Sequence, residues 1–203
     1  MLQIVKNDSV QQDQRRDVGL VFLNACVGRQ VRQGLFGGSV RRNIEVKHRI
    51  VTERLTQTLT LFEDPTYHID HVLVVGERGA PQHQSIGIRK KLIASGVPPE
   101  KIIACGEANN TPKATRIFLR AAIIQYGGRD LHVHITMHQR WSPRVAAFLQ
   151  RYREYHRDEI PNILTSEHHP TAGYEPNLWE RIREEHRFDR RNWKYDFQQI
   201  IDK

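Results

Sequence analysis

The stretch Val18-Gly19-Leu20-Val21-Phe22-Leu23 places six apolar or small residues in a row without polar alternation. A strand with one wet face alternates, whereas a strand covered on both faces does not, so this run predicts a central strand of a parallel sheet. It ends at Asn24-Ala25-Cys26. Further short apolar runs follow at His71–Val75, Lys101–Ala104 and Leu131–Thr136, with a fifth strand expected at Asn162–Thr165.

The intervals between these runs change from continuous apolarity to helical spacing. Ile44, Val46, Ile50, Val51, Leu55, Leu59 and Leu61 mark a long amphipathic helix that must stop before Pro65. A second helix is expected over about 85–95 with Gly96 as its cap, and a third through Ile117, Phe118, Leu119, Ala122 and Ile123 up to Gly127-Gly128. A fourth runs through Val145, Phe148, Leu149 and Tyr152. Strand and helix alternating over short connections predict a Rossmann-like α/β fold, a three-layer sandwich around a mainly parallel sheet. The glycine-bearing segment 27–43, VGRQVRQGLFGGSVRRN, reads as a loop, and His168-His169 reads as a loop pair.

A chain of 203 residues with 38% apolar residues buries one substantial core. The expected organisation is an N-terminal arm over 1–16, the α/β domain over 17–165 and a charged helical C-terminal appendix over 166–203 packed on it. No apolar run approaches a membrane span, and the opening MLQIVKNDSVQQDQRRD turns polar after five residues, so a soluble, cytoplasmic protein is expected. Cys26 and Cys105, without an export signal, fit buried thiols in a reducing compartment. The formal charge of +8 favours anionic partners. That balance admits nucleic acid, but no helix-turn-helix, RNP or zinc motif favours it. Oligomeric state is not encoded in any feature of the chain.

In a parallel sheet, ligands bind beyond the carboxyl ends of the strands, because loops and helix N-termini converge there. Polar residues collect at those ends: Asn24 and the loop glycines Gly37 and Gly38, then Gly76-Glu77-Arg78, then Glu107, Asn109, Asn110 and Thr111, then His138, Arg140 and Arg144. In Asn110-Thr111-Pro112, Asn110 or Thr111 is a helix cap and Pro112 suits the first helical turn. The same helix start could also hold a phosphate. GLFGGSVRR has the composition of a phosphate-cradling loop, but its spacing matches neither G-x-G-x-x-G nor the Walker pattern.

His132, His134 and His138 spell H-x-H-x-x-x-H, and the first two share a strand face as metal ligands do. No carboxylate at a matching spacing completes the set, so no metal is favoured. Ser85 and Ser142 lack a nucleophile elbow, and neither cysteine has an activating base in the surrounding sequence.

Together these motifs, from residue 18 to about 150, resemble the YdcF/SanA/ElyC-type family, a bacterial domain with a Rossmann-like sandwich. The match runs in order through Gly37-Gly38, Arg49, Gly76, Ser85, Gly96-Val97-Pro98 with Glu100 and Ile102, Asn110-Thr111, Thr136 and Pro143-Arg144. The resemblance implies a nucleotide or S-adenosylmethionine-type ligand and an envelope-related role. It extends the ligand-binding set to Arg49, Ser85 and Thr136. Lys113 stands where the family carries an acid, and Trp141 falls opposite its histidine, leaving His138 as the nearest imidazole. Two readings stand. One is a pocket for a small anionic or nucleotide-like ligand, with transfer or hydrolysis of a phosphate-containing substrate as its catalytic form and Glu107 or His138 handling a proton. The other is a non-catalytic basic protein that binds a partner or nucleic acid through its surface.

Overall fold

The computed structural model describes residues 17–26, 40–79, 81–127, 129–137, 142–155 and 164–171. Five strands, β1 (Val18–Asn24), β2 (His71–Glu77), β3 (Ile102–Ala108), β4 (Leu131–Met137) and β5 (Leu164–Pro170), form one sheet in the order β3-β2-β1-β4-β5. Every pairing is parallel. Helices α1 (Val40–Glu63), α2 (Ser85–Ala94), α3 (Thr111–Tyr126) and α4 (Ser142–Tyr155) fill the crossovers.

The order records a reversal. The chain steps outward from β1 to β2 to β3, then returns past β1 to β4 and β5. Such a reversal opens a crevice at the carboxyl ends of β1 and β4. Helices cover both faces, as the unbroken apolarity of β1 requires. On one face Leu20, Phe22, Leu73, Val75, Val133 and Ile135 pack with Phe118 and Leu119 of α3 and Phe148 and Leu149 of α4. On the other, Val21, Leu23, Val72 and Val74 pack with Ile50, Val51 and Leu55 of α1 and Ile88 and Leu92 of α2.

The departures from the sequence reading fall at edges. β3 continues through Cys105–Ala108, residues expected to lie in the connection, and β5 runs to Pro170 rather than ending at Thr165. The sheet therefore extends past the expected domain boundary at 165, and His168-His169 sit in a strand rather than a loop. Edge strands bury less side chain, so no apolar run marks their later halves; residues 165–168 of β5 are all exposed. α1 begins at Val40, inside the segment read as loop. The N-terminal arm and the residues of the appendix beyond 171 lie outside the described residues.

One irregularity of β3 positions the site. The pairing with β2 runs Val74↔Ala104 and then Val75↔Gly106, so Cys105 is an extra residue in a bulge, and Gly106 supplies the positive φ of 129° there. Ile103 and Cys105 pack toward the α3 side. Without the bulge, alternation would send Glu107 the same way. With it, Glu107 pairs with Gly76 and points at the start of α2.

Candidate functional site

The start of α2 has no side-chain cap of its own, since its N-cap residue is Gln84, which makes no such bond. Glu107 takes that role from the neighbouring strand. Its Oε1 accepts hydrogen bonds from the Ser85 backbone N–H and the Ser85 Oγ–H, both at 2.8 Å. A carboxylate at a helix N-terminus is stabilised by the free N–H groups and the helix dipole, so this helix start holds an internal anion. Gly76 makes room for it: a Cβ there would run into Ser85 N, Glu107 Oε2 and the Gln84 carbonyl carbon.

At the end of β2, Glu77 is 7% exposed and sits between Lys47 and His83, which come from different elements. Lys47 Nζ of α1 donates to its Oε1 at 2.7 Å, and His83 Nδ1 lies 3.6 Å from its Oε2. Burial pushes the Glu77 carboxyl up, but His83 and Lys47 outweigh burial and hold it below the usual carboxylate value. Two turns after Lys47, Arg54 is 2% exposed and donates from Nη1 to the Asn24 carbonyl at 2.5 Å. Burial lowers its pKa to about 10, partly offset by Cys26, Glu53 and Glu77, so it stays charged at neutral pH. Asn24 is fully buried, and its Oδ1 accepts from the Cys26 N–H at 2.8 Å, fixing the turn out of β1.

The third strand end is more self-contained. Asn110 is the N-cap of α3, with Oδ1 accepting from the Lys113 N–H at 2.9 Å, and Pro112 sits in the first turn. Asn109 is exposed and Thr111 half-buried. Among the described residues, nine buried side-chain nitrogen or oxygen atoms have no hydrogen-bond partner. Six of them are at these strand ends: Asn24 Nδ2, Arg54 Nε, Glu77 Oε2, both ring nitrogens of His83, and Glu107 Oε2.

The expected residues thus divide. Asn24, Gly76, Glu77, Ser85 and Glu107 belong to this buried cluster. Arg78 and Asn109 are exposed at its margin, and Asn110 and Thr111 build the start of α3. Arg49 is exposed and pairs with Glu53 one turn along α1 at 3.1 Å. Thr136 is buried at the end of β4, with its hydroxyl 3.4 Å from that of Thr58. Gly37, Gly38, His138 and Arg140 lie outside the described residues, and Arg144 is in the first turn of α4. Lys47, Arg54 and His83 were not anticipated. For Arg54 a signal existed: with Lys47 and Thr58 it interrupts the apolar stripe of α1 at helical spacing, and a polar residue on a buried stripe needs a partner.

A second polar cluster lies on the other side of the sheet order, between β4 and β5. The register pairs His132 with Thr165, His134 with Glu167 and Thr136 with His169. His134 Nδ1 is 2.9 Å from His169 Nε2, and Glu167 lies within ion-pair distance of His132, His134 and His169. Burial, reinforced by His132 and His169, pushes His134 down to about 4. His169 is lowered chiefly by burial as well. The carboxylate that sequence spacing did not supply is therefore present, brought in by β5. Behind β5, facing α4, a groove of about 440 Å³ is lined by Ala146, Ala147, Leu149, Gln150, Arg153, Ser166 and His168.

No helix among the described residues is long and apolar enough to cross a membrane. No family model matches the chain, and comparison with curated proteins and with solved structures likewise returns no match.

Proposed function

We propose that the carboxyl ends of β1, β2 and β3 bind a small anionic, nucleotide-like ligand. The observation that carries this reading is the collection at those ends of six buried polar atoms that make no hydrogen bond, of which Glu77 Oε2 and His83 Nδ1 face each other at 3.6 Å and the other four have no such neighbour among the described residues. Buried polar groups in native proteins are almost always satisfied, and each orphan costs on the order of 1–3 kcal/mol. A group of them at the place where parallel sheets bind ligands points to a partner from outside the chain.

Their chemistry narrows the class. Asn24 Nδ2, Arg54 Nε and a ring nitrogen of His83 are donors suited to the oxygens of an anionic group. Glu77 Oε2 and Glu107 Oε2 are acceptors suited to hydroxyl or amino hydrogens. A nucleotide, or S-adenosylmethionine with its carboxylate and ribose, carries both kinds of group. The ordered motifs shared with the YdcF/SanA/ElyC-type pattern support the same ligand class, and with it an envelope-related role. Should the ligand be a phosphate-containing substrate, Glu107 Oε2 is the described atom best placed to take a proton.

The test is ligand-induced stabilisation, measured as the rise in melting temperature with ATP, AMP, a sugar nucleotide, S-adenosylmethionine and inorganic phosphate. A ligand at 100 times its Kd stabilises by about 2.7 kcal/mol. Glu107→Gln keeps an acceptor for Ser85 while changing Oε2, and Lys47→Gln removes the Glu77 partner. Each variant is expected to lose most of the rise seen in the parent. An undiminished rise in both, or no rise with any member of the panel, rejects the assignment.

A further inference from the structure

From the β4–β5 edge of the sheet we infer that His132, His134, Glu167 and His169 form a binding site for a divalent transition-metal ion, with Zn²⁺ the ion this donor set suits best. Two strand pairs build it. His132 and His134 are two residues apart on β4, Glu167 and His169 two apart on β5, and the parallel register sets His134 against Glu167. Side chains two apart project from the same face, so all four meet over one patch of sheet.

The spacing of the donor atoms fits a shared ion. Zinc takes imidazole nitrogens and carboxylate oxygens at about 2.0–2.2 Å, which sets two donors of a tetrahedral site roughly 3.4 Å apart. Here His134 Nδ1 and His169 Nε2 are 2.9 Å apart. Glu167 Oε2 is 3.5 Å from His132 Nε2 and 3.8 Å from His134 Nδ1, and Glu167 Oε1 is 3.7 Å from His169 Nε2. Donor atoms of His132, His134 and Glu167 all lie within 4.8 Å of one another.

The surroundings orient the rings. His132 Nδ1 is 2.6 Å from Thr165 Oγ1, and donation to that hydroxyl leaves Nε2 with the lone pair that faces Glu167. Tyr67, in the turn after α1, stands nearly perpendicular to both His134 and His169, with ring centres 5.5 and 5.0 Å away. His134 and His169 are buried beneath, while Glu167 is nearly half-exposed and His132 a third exposed, which gives an ion a route from solvent. Three imidazoles and one carboxylate suit zinc better than magnesium or calcium, which prefer oxygen.

Three donors, from His132, His134 and Glu167, lie in mutual reach, and His169, beside His134 Nδ1 and Glu167 Oε1, is the fourth that would close the site as a structural one. Its role follows from what β5 lacks. Residues 165–168 of that strand are exposed, so little apolar burial holds it to β4, and a bound ion would bridge the two strands.

The test uses the full chain without an affinity histidine tag, stripped with a chelator and titrated with Zn²⁺ against a chromophoric competitor. One ion per chain is expected, with a higher melting temperature and stronger amide-exchange protection over residues 164–170. Co²⁺ in its place is expected to give the visible absorption of a tetrahedral site. Glu167→Ala and His132→Ala alter exposed ligands and are expected to weaken binding at least tenfold. His168→Ala, one residue over and facing α4, is expected to bind as the parent does. Substoichiometric binding by the parent, or undiminished binding in the Glu167→Ala/His132→Ala double variant, overturns the inference.

Discussion

Gly76→Ala tests the geometry on which the strand-end cluster depends. In the middle of an ordinary strand, replacing glycine by alanine stabilises by about 0.4–1 kcal/mol, because it removes freedom from the unfolded chain. At Gly76 the added Cβ collides with Ser85 N and Glu107 Oε2 and comes within 2.7 Å of the Gln84 carbonyl carbon. Two of these are backbone atoms at the start of α2, so no side-chain rotation relieves the contact. Overpacking of this kind costs about 1–3 kcal/mol. Displacing Glu107 from Ser85 removes charge-assisted hydrogen bonds worth about 1.5–3 kcal/mol. Together they cost about 2.5–6 kcal/mol, and at roughly 2–4 °C per kcal/mol for a domain of this size the melting temperature falls by about 5–24 °C. Thermal and urea unfolding followed by circular dichroism read it directly. Gly79→Ala is the control: its φ is 83° but nothing lies within 4 Å of the added carbon, so only the left-handed backbone penalty of about 1–2 kcal/mol applies. A Gly76→Ala protein as stable as the parent, or more so, would refute the packing of Glu107 between β2 and α2.

Two other expectations concern titration. Because Glu77 has a folded pKa below its ordinary 4.5, its contribution to stability is complete above about 4.5 and is lost as pH falls through the lower folded value. In Lys47→Gln burial is less opposed, so the acid-unfolding midpoint is expected to move to higher pH; an unchanged midpoint argues that Lys47 and Glu77 do not interact in solution. Burial pushes the Cys105 thiol up to about 12, so its thiolate is scarce at pH 8. Iodoacetamide is expected to label Cys105 in the folded protein far more slowly than in urea, and equal rates would show that the bulge at Cys105 opens freely.

Covered strands announce themselves in sequence. β1 and β2 lie inside the sheet, and solvent exclusion on both faces writes an apolar run that needs no alignment to read. The two edge strands do so only in part, because a strand with a free flank can carry polar residues such as Gly106-Glu107 or Ser166-Glu167-His168-His169 in place of an unbroken apolar run. For that reason the ends of β3 and β5 were misplaced while the fold class was not. The start of α3 was also legible, since Asn110 and Pro112 act within one turn of chain.

The chain by itself therefore determined a layered α/β fold, the cap of α3 and the general location of polar residues at strand ends. Those properties are local, set by burial period and by backbone bonds a few residues apart. Tertiary structure alone decided which polar residues meet. Glu107 reaches α2 because one extra residue in β3 reverses its facing, and Arg54 reaches Asn24 because α1 packs across the end of β1. Glu167 and His169 reach His132 and His134 only through the register of β5 on β4. Register and crossover bring together residues separated by tens of positions, and no spacing along the chain encodes that distance.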